Sequence, residues 1–291
     1  MEKVCVKRPW LRCSPSLRRS PWSRRSPWLL LVAFAAAPVP ASTLEPQHSE
    51  RSPHSEQYLA YRGTAVDRHT LNFLYEERHW LLYRDGRLTE RVVLYTCPDG
   101  SAFARKTVGY VDPLAPDFML QDASNGLEEG IRSRAAVRSV FFRKDAAATE
   151  KTASLPQVPE LVADAGFDEF IQANWPQLLR GGALPLHFLV PSRLDDVNFE
   201  VRHVRTETVT GQPAEVFRLK LAGALGFVVR SIDVTYGSAD HVLLRYDGVS
   251  DLRDRTGANY TPLINFPPAD RSQGDAQRMA AARQAPLASC R

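Results

Sequence analysis

Apolar residues occupy every second position over most of residues 57–268. This alternation is typical of strands that turn one face toward a core and the other toward solvent. It is interrupted at Asp85-Gly86 and at Asn125-Gly126, two dipeptides that accept the positive φ angles of a tight hairpin. After residue 196 the alternation resumes in further segments. We therefore predict a mainly β protein with about ten strands, chiefly antiparallel, in a single domain over residues 57–268.

Residues 166–180 depart from this pattern and predict one amphipathic helix. Large apolar side chains recur there at spacings of three and four, which places them on one helix face. These are Phe167, Phe170, Ile171, Trp175 and Leu178. Gly181-Gly182 ends the helix, and Pro176 predicts a kink or a division into two short helices. Because this face must be covered, we predict a strongly curved antiparallel sheet or open barrel wrapped around the helix.

Residues 1–41 have the features of a secretory signal peptide. Basic residues precede an unbroken apolar run over Trp28–Ala37, and small residues follow it. Since a helix needs about 20 apolar residues to cross a bilayer, we predict cleavage after Ala41 and no transmembrane anchor in the mature chain. A flexible leader over 42–56 and a polar, disordered tail over 269–291 are predicted to flank the domain. This interpretation predicts a periplasmic or secreted protein.

Removal of residues 1–41 reverses the net charge. The whole chain has 37 Lys and Arg against 33 Asp and Glu, and residues 1–41 contain eight of the former and one of the latter, which leaves 29 basic and 32 acidic residues. A protein that binds nucleic acid needs a basic surface. A nucleic-acid partner is therefore not predicted.

Two cysteines remain after cleavage, Cys97 and Cys290. In an oxidising compartment they can form a disulfide bond that ties the C-terminal segment to an early hairpin. A half-buried Cys97 with a frayed Cys290 is an equal alternative, and the sequence leaves both open. The absence of a Cys-x-x-Cys motif argues against thiol redox catalysis and a structural zinc site.

Catalytic motifs are absent from the sequence, which has no Gly-x-Ser-x-Gly elbow, phosphate loop, His-Glu-x-x-His or dinucleotide fingerprint. Asp67 and His69 share a strand face and can orient a general base. Asp195 and Asp196 are adjacent and can hold a divalent cation. A polar surface pair and a turn explain these residues more simply. We therefore predict no catalytic residues, no metal site and no cofactor, and favour a protein that is not an enzyme.

Three segments carry a resemblance to known proteins. They are YLAYRGTAV near the start, DEFIQANWPQLLRGGALPLHFLVPSRLDDVNFEV in the middle and LLRYDGVSDLRDRTGANYTPLINF near the end. They resemble functionally uncharacterised, exported bacterial proteins of the cell envelope, and the last is similar to segments of proteins with a lipoprotein-carrier-like half-barrel. The resemblance implies an apolar cavity between sheet and helix, suited to an acyl chain or another lipidic ligand.

Three hypotheses for function follow. The first is an envelope protein that binds an apolar or lipidic ligand between the sheet and the helix face, with Phe167, Phe170, Ile171, Trp175 and Leu178 as the ligand-binding residues. The second is an exported hydrolase-like enzyme that uses Asp67 and His69 or the Asp195-Asp196 pair. The third is a structural scaffold with a fully packed core.

Overall fold

The computed structural model describes residues 55–135, 137–223, 230–254 and 256–290. The predicted signal peptide and nearly all of the predicted leader lie outside the described residues. Sixteen strands are present in the described part of the chain: β1 (Glu56–Asp67), β2 (Phe73–Arg84), β3 (Arg87–Thr96), β4 (Ala102–Gly109), β5 (Asp117–Asp122), β6 (Leu127–Arg134), β7 (Val137–Arg143), β8 (Lys151–Ser154), β9 (Leu161–Val162), β10 (Ala183–Val190), β11 (Asp195–Val209), β12 (Gln212–Leu221), β13 (Ile232–Gly237), β14 (Leu243–Asp247), β15 (Pro262–Asn265) and β16 (Ser272–Gln273). The helices in the same residues are α1 (Gly166–Ala173), α2 (Trp175–Leu179) and α3 (Ala276–Gln284).

The strands form one sheet made of two series of neighbouring strands. One series runs from β1 to β8 and the other from β15 back to β9, and pairing of β1 with β15 joins them. The short strand β16 pairs with the other end of β1. Pairing is antiparallel throughout the described residues except between β9 and β10. The sheet is unclosed, because its end strands β8 and β9 do not pair with each other in the described residues.

The predicted hairpin turns and the strong curvature of the sheet are present. Asp85 and Gly86 join β2 to β3 with φ angles of 51° and 76°, and Gly126 lies between β5 and β6 with φ of 79°. Curvature brings the two ends of the sheet together, since Val140 of β7 and Leu189 of β10 belong to the same buried apolar cluster.

The predicted strand count of about ten is wrong, since the described residues contain sixteen strands. Strands β8, β9, β15 and β16 have two to four residues, which is too short for an alternating pattern to be visible. Strand β10, with the sequence ALPLHFLV, carries apolar residues on both faces. Such a run cannot be separated from a buried helical segment by periodicity.

The predicted helical segment divides into α1 and α2 at Asn174. The Asn174 side-chain Nδ2 donates a hydrogen bond to the Phe170 carbonyl oxygen at 2.9 Å. Pro176 lies in the first turn of α2, where its missing N–H removes no helical hydrogen bond. The five predicted apolar side chains nevertheless stay on one side of the pair of helices, in one buried cluster.

The C-terminal segment 269–291 differs from the predicted disorder in its described part. It contains β16 and α3, and Met279 and Ala282 of α3 pack against the outer surface of β2 and β3.

Of the two alternatives for the cysteines, the structure has the disulfide bond between Cys97 and Cys290, whose Cα atoms are 5.6 Å apart. The bond ties the last described residues to the end of β3.

Candidate functional site

Helices α1 and α2 cover the inner face of β10–β13. The five predicted ligand-binding side chains are all buried here, with exposed fractions from 0% for Ile171 and Leu178 to 8% for Phe167. Strands β10–β13 contribute Leu186, Val201, Phe217, Leu219, Val234 and Tyr236 to the same cluster. We call this contact the helix–sheet interface. Two open depressions, of about 730 Å³ and about 780 Å³, lie elsewhere on the surface, and none of the five side chains lines either of them.

Trp175 lies at the α2 end of the helix–sheet interface. Its ring centroid is 4.9 Å from that of Phe217 and 6.2 Å from that of Tyr236, both in edge contacts. The His241 ring stacks on Trp175 from the other side, with centroids 3.8 Å apart. His241 is only half-buried, so this end of the interface approaches the surface.

The opposite side of α1 is acidic and faces β3. Asp168 Oδ2 accepts hydrogen bonds from both terminal nitrogens of Arg91, at 3.3 and 3.2 Å. Asp168 Oδ1 accepts a hydrogen bond from the Tyr236 hydroxyl at 2.7 Å. Burial, together with the charge of Asp168, raises the pKa of Tyr236 well above its ordinary value. Asp168 therefore fixes the rotation of α1 between the two halves of the sheet.

A second ion pair holds the chain just before α1. The Lys106 ammonium on β4 is bonded to Asp164, and its Nζ is 3.4 Å from Asp251 Oδ2. Burial alone would lower the pKa of Lys106, but the charges of Asp164 and Asp251 raise it well above its usual value. Together with the Arg91–Asp168 pair, this contact attaches the helical segment to the first series of strands.

A group of polar side chains lies beside Phe217, on the inner face of β11 and β12 and in the turn after β13. His203 Nε2 is 2.7 Å from Glu215 Oε2, and Thr206 Oγ1 donates to the same oxygen at 2.7 Å. Ser238 Oγ donates to Glu215 Oε1 at 2.8 Å. Burial alone would raise the pKa of Glu215, but the hydrogen bonds from Thr206, Ser238 and His203 lower it below its ordinary value. We call these four residues the polar corner.

The residues considered for catalysis lie in two separate places. Asp67 ends β1, and its Oδ1 accepts hydrogen bonds from the backbone N–H groups of His69 and Thr70, at 3.0 and 2.8 Å. Its carboxylate thus closes a turn and bonds the His69 backbone rather than the His69 ring.

Asp195 and Asp196 open β11 and also have local partners. Asp195 Oδ1 accepts a hydrogen bond from the Asp196 N–H at 2.9 Å, and Asp196 Oδ2 is 2.7 Å from His187 Nδ1 on β10. Within the described residues, no group of three or more His, Cys, Asp or Glu side chains is arranged to hold a metal ion.

Sequence reasoning missed the polar corner and the two ion pairs of the helical segment. A signal for Glu215 is present, because Phe217 and Leu219 point inward and a strand continues the same face at every second residue. No comparable signal marks His203 and Thr206 together. A shift of register between His203 and Arg205 places both on the inner face, and a bulge of this kind is not visible in the sequence.

Comparisons with known proteins give structural neighbours only. The chain matches no protein-family model and no curated protein. Among solved structures, it is similar to a β-barrel-like protein of the DUF1849 domain family from Brucella abortus, with 9% identity, a TM-score of 0.41 and coverage of 76% of this chain and 98% of that one. It is also similar to a candidate outer membrane lipoprotein-sorting protein domain from Vibrio parahaemolyticus, with 10% identity, a TM-score of 0.27 and coverage of 79% and 90%.

A third neighbour is a DUF1329 family protein from Desulfovibrio piger, with 7% identity, a TM-score of 0.27 and coverage of 77% of this chain and 88% of that one. The first neighbour, a β-barrel-like protein, and the second, a lipoprotein-sorting domain, agree with the resemblance stated from the sequence. None of the helices in the described residues combines the length and the apolar character that crossing a membrane requires.

Proposed function

We propose that this chain is an exported cell-envelope protein that binds a lipidic or other apolar ligand between helices α1–α2 and strands β10–β13. The signal peptide is cleaved after Ala41, and the protein works in the periplasm or outside the cell. The disulfide bond between Cys97 and Cys290 supports this location, because such bonds persist in oxidising compartments.

The observation that carries the ligand proposal is the way in which the helical segment is held. No strand pairing attaches α1 or α2 to the sheet in the described residues. Side-chain contacts alone cover β10–β13, and two ion pairs secure the segment on its other side. The helices can therefore move away from β10–β13 without breaking the hydrogen bonds of the sheet, at the loss of the hydrogen bond from Tyr236 to Asp168.

The free energy lost when the helix side chains leave β10–β13 is similar to the free energy gained when an acyl chain is buried there. Burial of five large apolar side chains contributes about 10 kcal/mol, at roughly 2 kcal/mol each. An acyl chain of about 12 to 16 carbons contributes a similar amount, at about 0.8 kcal/mol for each buried methylene group. A ligand chain can thus replace the helix contacts against β10–β13 at little net change in apolar burial.

Trp175 offers a direct test, because residues 42–291 contain only two tryptophans, Trp80 and Trp175. The full chain is expressed with its own leader in a bacterium that has a periplasm, and intact mass establishes the N-terminus. Dodecanol and monolauroylglycerol are then titrated while tryptophan emission is recorded. We expect a saturable change that Trp175→Phe abolishes and Trp80→Phe, the matched control, retains.

Mass spectrometry of organic extracts of the same purified protein gives a second readout, with a co-purifying lipid as the expected result. A chain that retains residues 1–41 would contradict the export proposal. An unchanged Trp175 emission at all ligand concentrations, together with lipid-free extracts, would contradict the binding proposal and favour a scaffold with a packed core.

A further inference from the structure

The inner face of β11–β13 changes from apolar to polar along a diagonal, since His203 lies opposite Phe217 and Glu215 lies opposite Tyr236. On each strand a step of two residues along this face exchanges an apolar side chain for a polar one. The steps are Val201 to His203 on β11, Phe217 to Glu215 on β12, and Tyr236 at the end of β13 to Ser238 in the turn that follows. A surface that changes in this way is amphipathic along its length, as is a lipid with a headgroup.

A β-bulge builds the polar part of this surface. Val204 has no partner on β12 in the register of the described strands, which runs from His203 opposite Phe217 to Arg205 opposite Val216. The extra residue turns Thr206 to the same side as His203, so that both contact Glu215. Bulges that re-aim side chains are common next to functional sites.

The Glu215 carboxylate has capacity for one more hydrogen-bond donor. Each carboxylate oxygen has two acceptor positions. In the described residues Oε2 accepts from His203 and Thr206, whereas Oε1 accepts from Ser238. The side chains of His203 and Glu215 are 19% and 10% exposed, and Thr206 is exposed. The polar corner is therefore reachable from solvent at the edge of the helix–sheet interface.

The polar corner is also in contact with the proposed ligand site. The His203 ring centroid is 5.6 Å from that of Phe217, and Phe217 contacts Trp175 at 4.9 Å. A chain that lies along β10–β13 and replaces the helix contacts would thus end at Glu215. On that path the His203 ring comes first, and the Glu215 carboxylate, which is hydrogen-bonded to it, follows.

We infer that the polar corner holds the headgroup of the bound lipid and selects headgroups that donate hydrogen bonds, hydroxyl or ammonium, over carboxylate or phosphate. This inference rests on the proposed function. It adds a specificity-determining residue, Glu215, and a ligand class, single-chain amphiphiles with donor headgroups.

The test compares three ligands with the same chain, dodecylamine, monolauroylglycerol and laurate, each below its critical micelle concentration. Affinities are measured from the Trp175 emission of the Trp80→Phe protein. We expect the amine and the monoacylglycerol to bind at least about tenfold more tightly than laurate, as a hydrogen bond to a charged group allows. In Glu215→Gln the amine should lose about tenfold in affinity, while laurate should bind equally or better.

Glu207→Gln is the matched control, since Glu207 lies on the opposite face of β11 and is bonded to Arg205 and Arg245, each at 2.8 Å. It should leave the order of the three affinities unchanged. Equal affinities of the three ligands for the Trp80→Phe protein would overturn the headgroup assignment and leave the proposed function standing. That comparison needs no change at Glu215 and remains decisive if Glu215→Gln fails to fold. No response of Trp175 to any of the three ligands would instead contradict the proposed function itself.

Discussion

Strands β10–β13 and strands β2–β6 bury different kinds of side chain on their inner faces. The first set packs against the helical segment, and β3 and β4 of the second set bind it through ion pairs. The first set is apolar except at the polar corner. On the second set, buried or half-buried charged and polar groups stand among the apolar ones: Glu77, His79, Arg91, Lys106 and Glu129. Helix α1 matches this difference, with Phe170 and Ile171 toward β10–β13 and Asp168 toward Arg91.

The difference indicates what each contact contributes. Apolar burial is non-directional and scales with area, so the proposed ligand chain needs no particular geometry to cover β10–β13. The bonds of Asp168 to Arg91 and Tyr236 depend on distance and angle, so they define one position of the helix. In the contact with the helical segment, β10–β13 thus supply the apolar burial and the proposed ligand surface, while the bonds of Asp168 determine where the helix rests.

Phe170→Ala tests the apolar half and should have the largest effect. Phe170 is 1% exposed, and its truncation in a packed core should lower the free energy of unfolding by about 4 kcal/mol. Leu179→Ala, in the same helical segment but at a side chain 42% exposed, is the control and should change it by less than about 1 kcal/mol. Urea unfolding followed by circular dichroism measures both. Equal losses of unfolding free energy in Phe170→Ala and Leu179→Ala would show that the contact between Phe170 and β10–β13 contributes no particular stability.

Asp168→Leu tests the polar half. The change leaves the buried Arg91 guanidinium without its carboxylate and should lower the free energy of unfolding by about 3 kcal/mol. The double variant Arg91→Met/Asp168→Leu should recover part of this loss, because it removes the uncompensated charge but still leaves the Tyr236 hydroxyl without its acceptor.

Gln172→Leu, at an exposed position of α1, is the control for the change in side-chain type. A double variant as unstable as Asp168→Leu alone would show that the loss arises from packing rather than from an unpaired charge. The same urea titrations supply the comparison.

The sequence predicted the apolar half of the structure better than the polar half. Helical spacing identified all five side chains of the helix face, because a single element carries that signal. On β2 both faces are mixed: Trp80 and Leu82 face outward, where α3 covers them, while Glu77 and His79 face inward. Alternation gives two faces, but it does not say which is inside when a later helix covers the outer one.

Only the part of the polar corner that follows from alternation within one strand was predictable from the sequence. Glu215 follows from the register of Phe217 and Leu219, whereas the meeting of His203, Thr206 and Ser238 depends on a bulge and on a turn after β13. These are set by tertiary pairing. The ion pairs of Asp164 and Asp168 join residues more than fifty positions apart, and nothing in the local sequence selects the partner.

Glu129→Gln tests the polar half through its response to pH. Burial, and then the nearby charge of Asp251, raises the pKa of Glu129 to about 8 from 4.5, while Lys106 and Arg253 act in the opposite sense. The folded protein therefore holds this proton more tightly than the unfolded chain. The stability that it contributes is present below about pH 4.5, falls as the pH rises and is lost above about pH 8.

At pH 9 we expect Glu129→Gln to be more stable than the unchanged protein by about 2 kcal/mol, and near pH 5 by much less. Glu128→Gln is the control, since Glu128 lies on the opposite face, with its Oε1 2.8 Å from Arg143 NH2. Urea unfolding across this pH range measures the difference. Parallel pH profiles for the unchanged protein and Glu129→Gln would break the view that this half of the interior holds a neutral carboxyl group.

Asp196→Asn should have the smallest effect on the free energy of unfolding. It compares a more exposed pair with the ion pairs of the interior. Asp196 and His187 form a hydrogen-bonded pair between a carboxylate and an imidazole, and their side chains are 15% and 32% exposed. Water competes for such a pair, so its loss should lower the free energy of unfolding by less than about 1 kcal/mol.

The variant should also leave the Trp175 response to dodecylamine unchanged, because Asp196 lies on the face of β11 away from the helix–sheet interface. A large loss of stability would place this pair with the interior ones, and a loss of hydrolytic activity toward ester substrates would favour the enzyme hypothesis that includes Asp196.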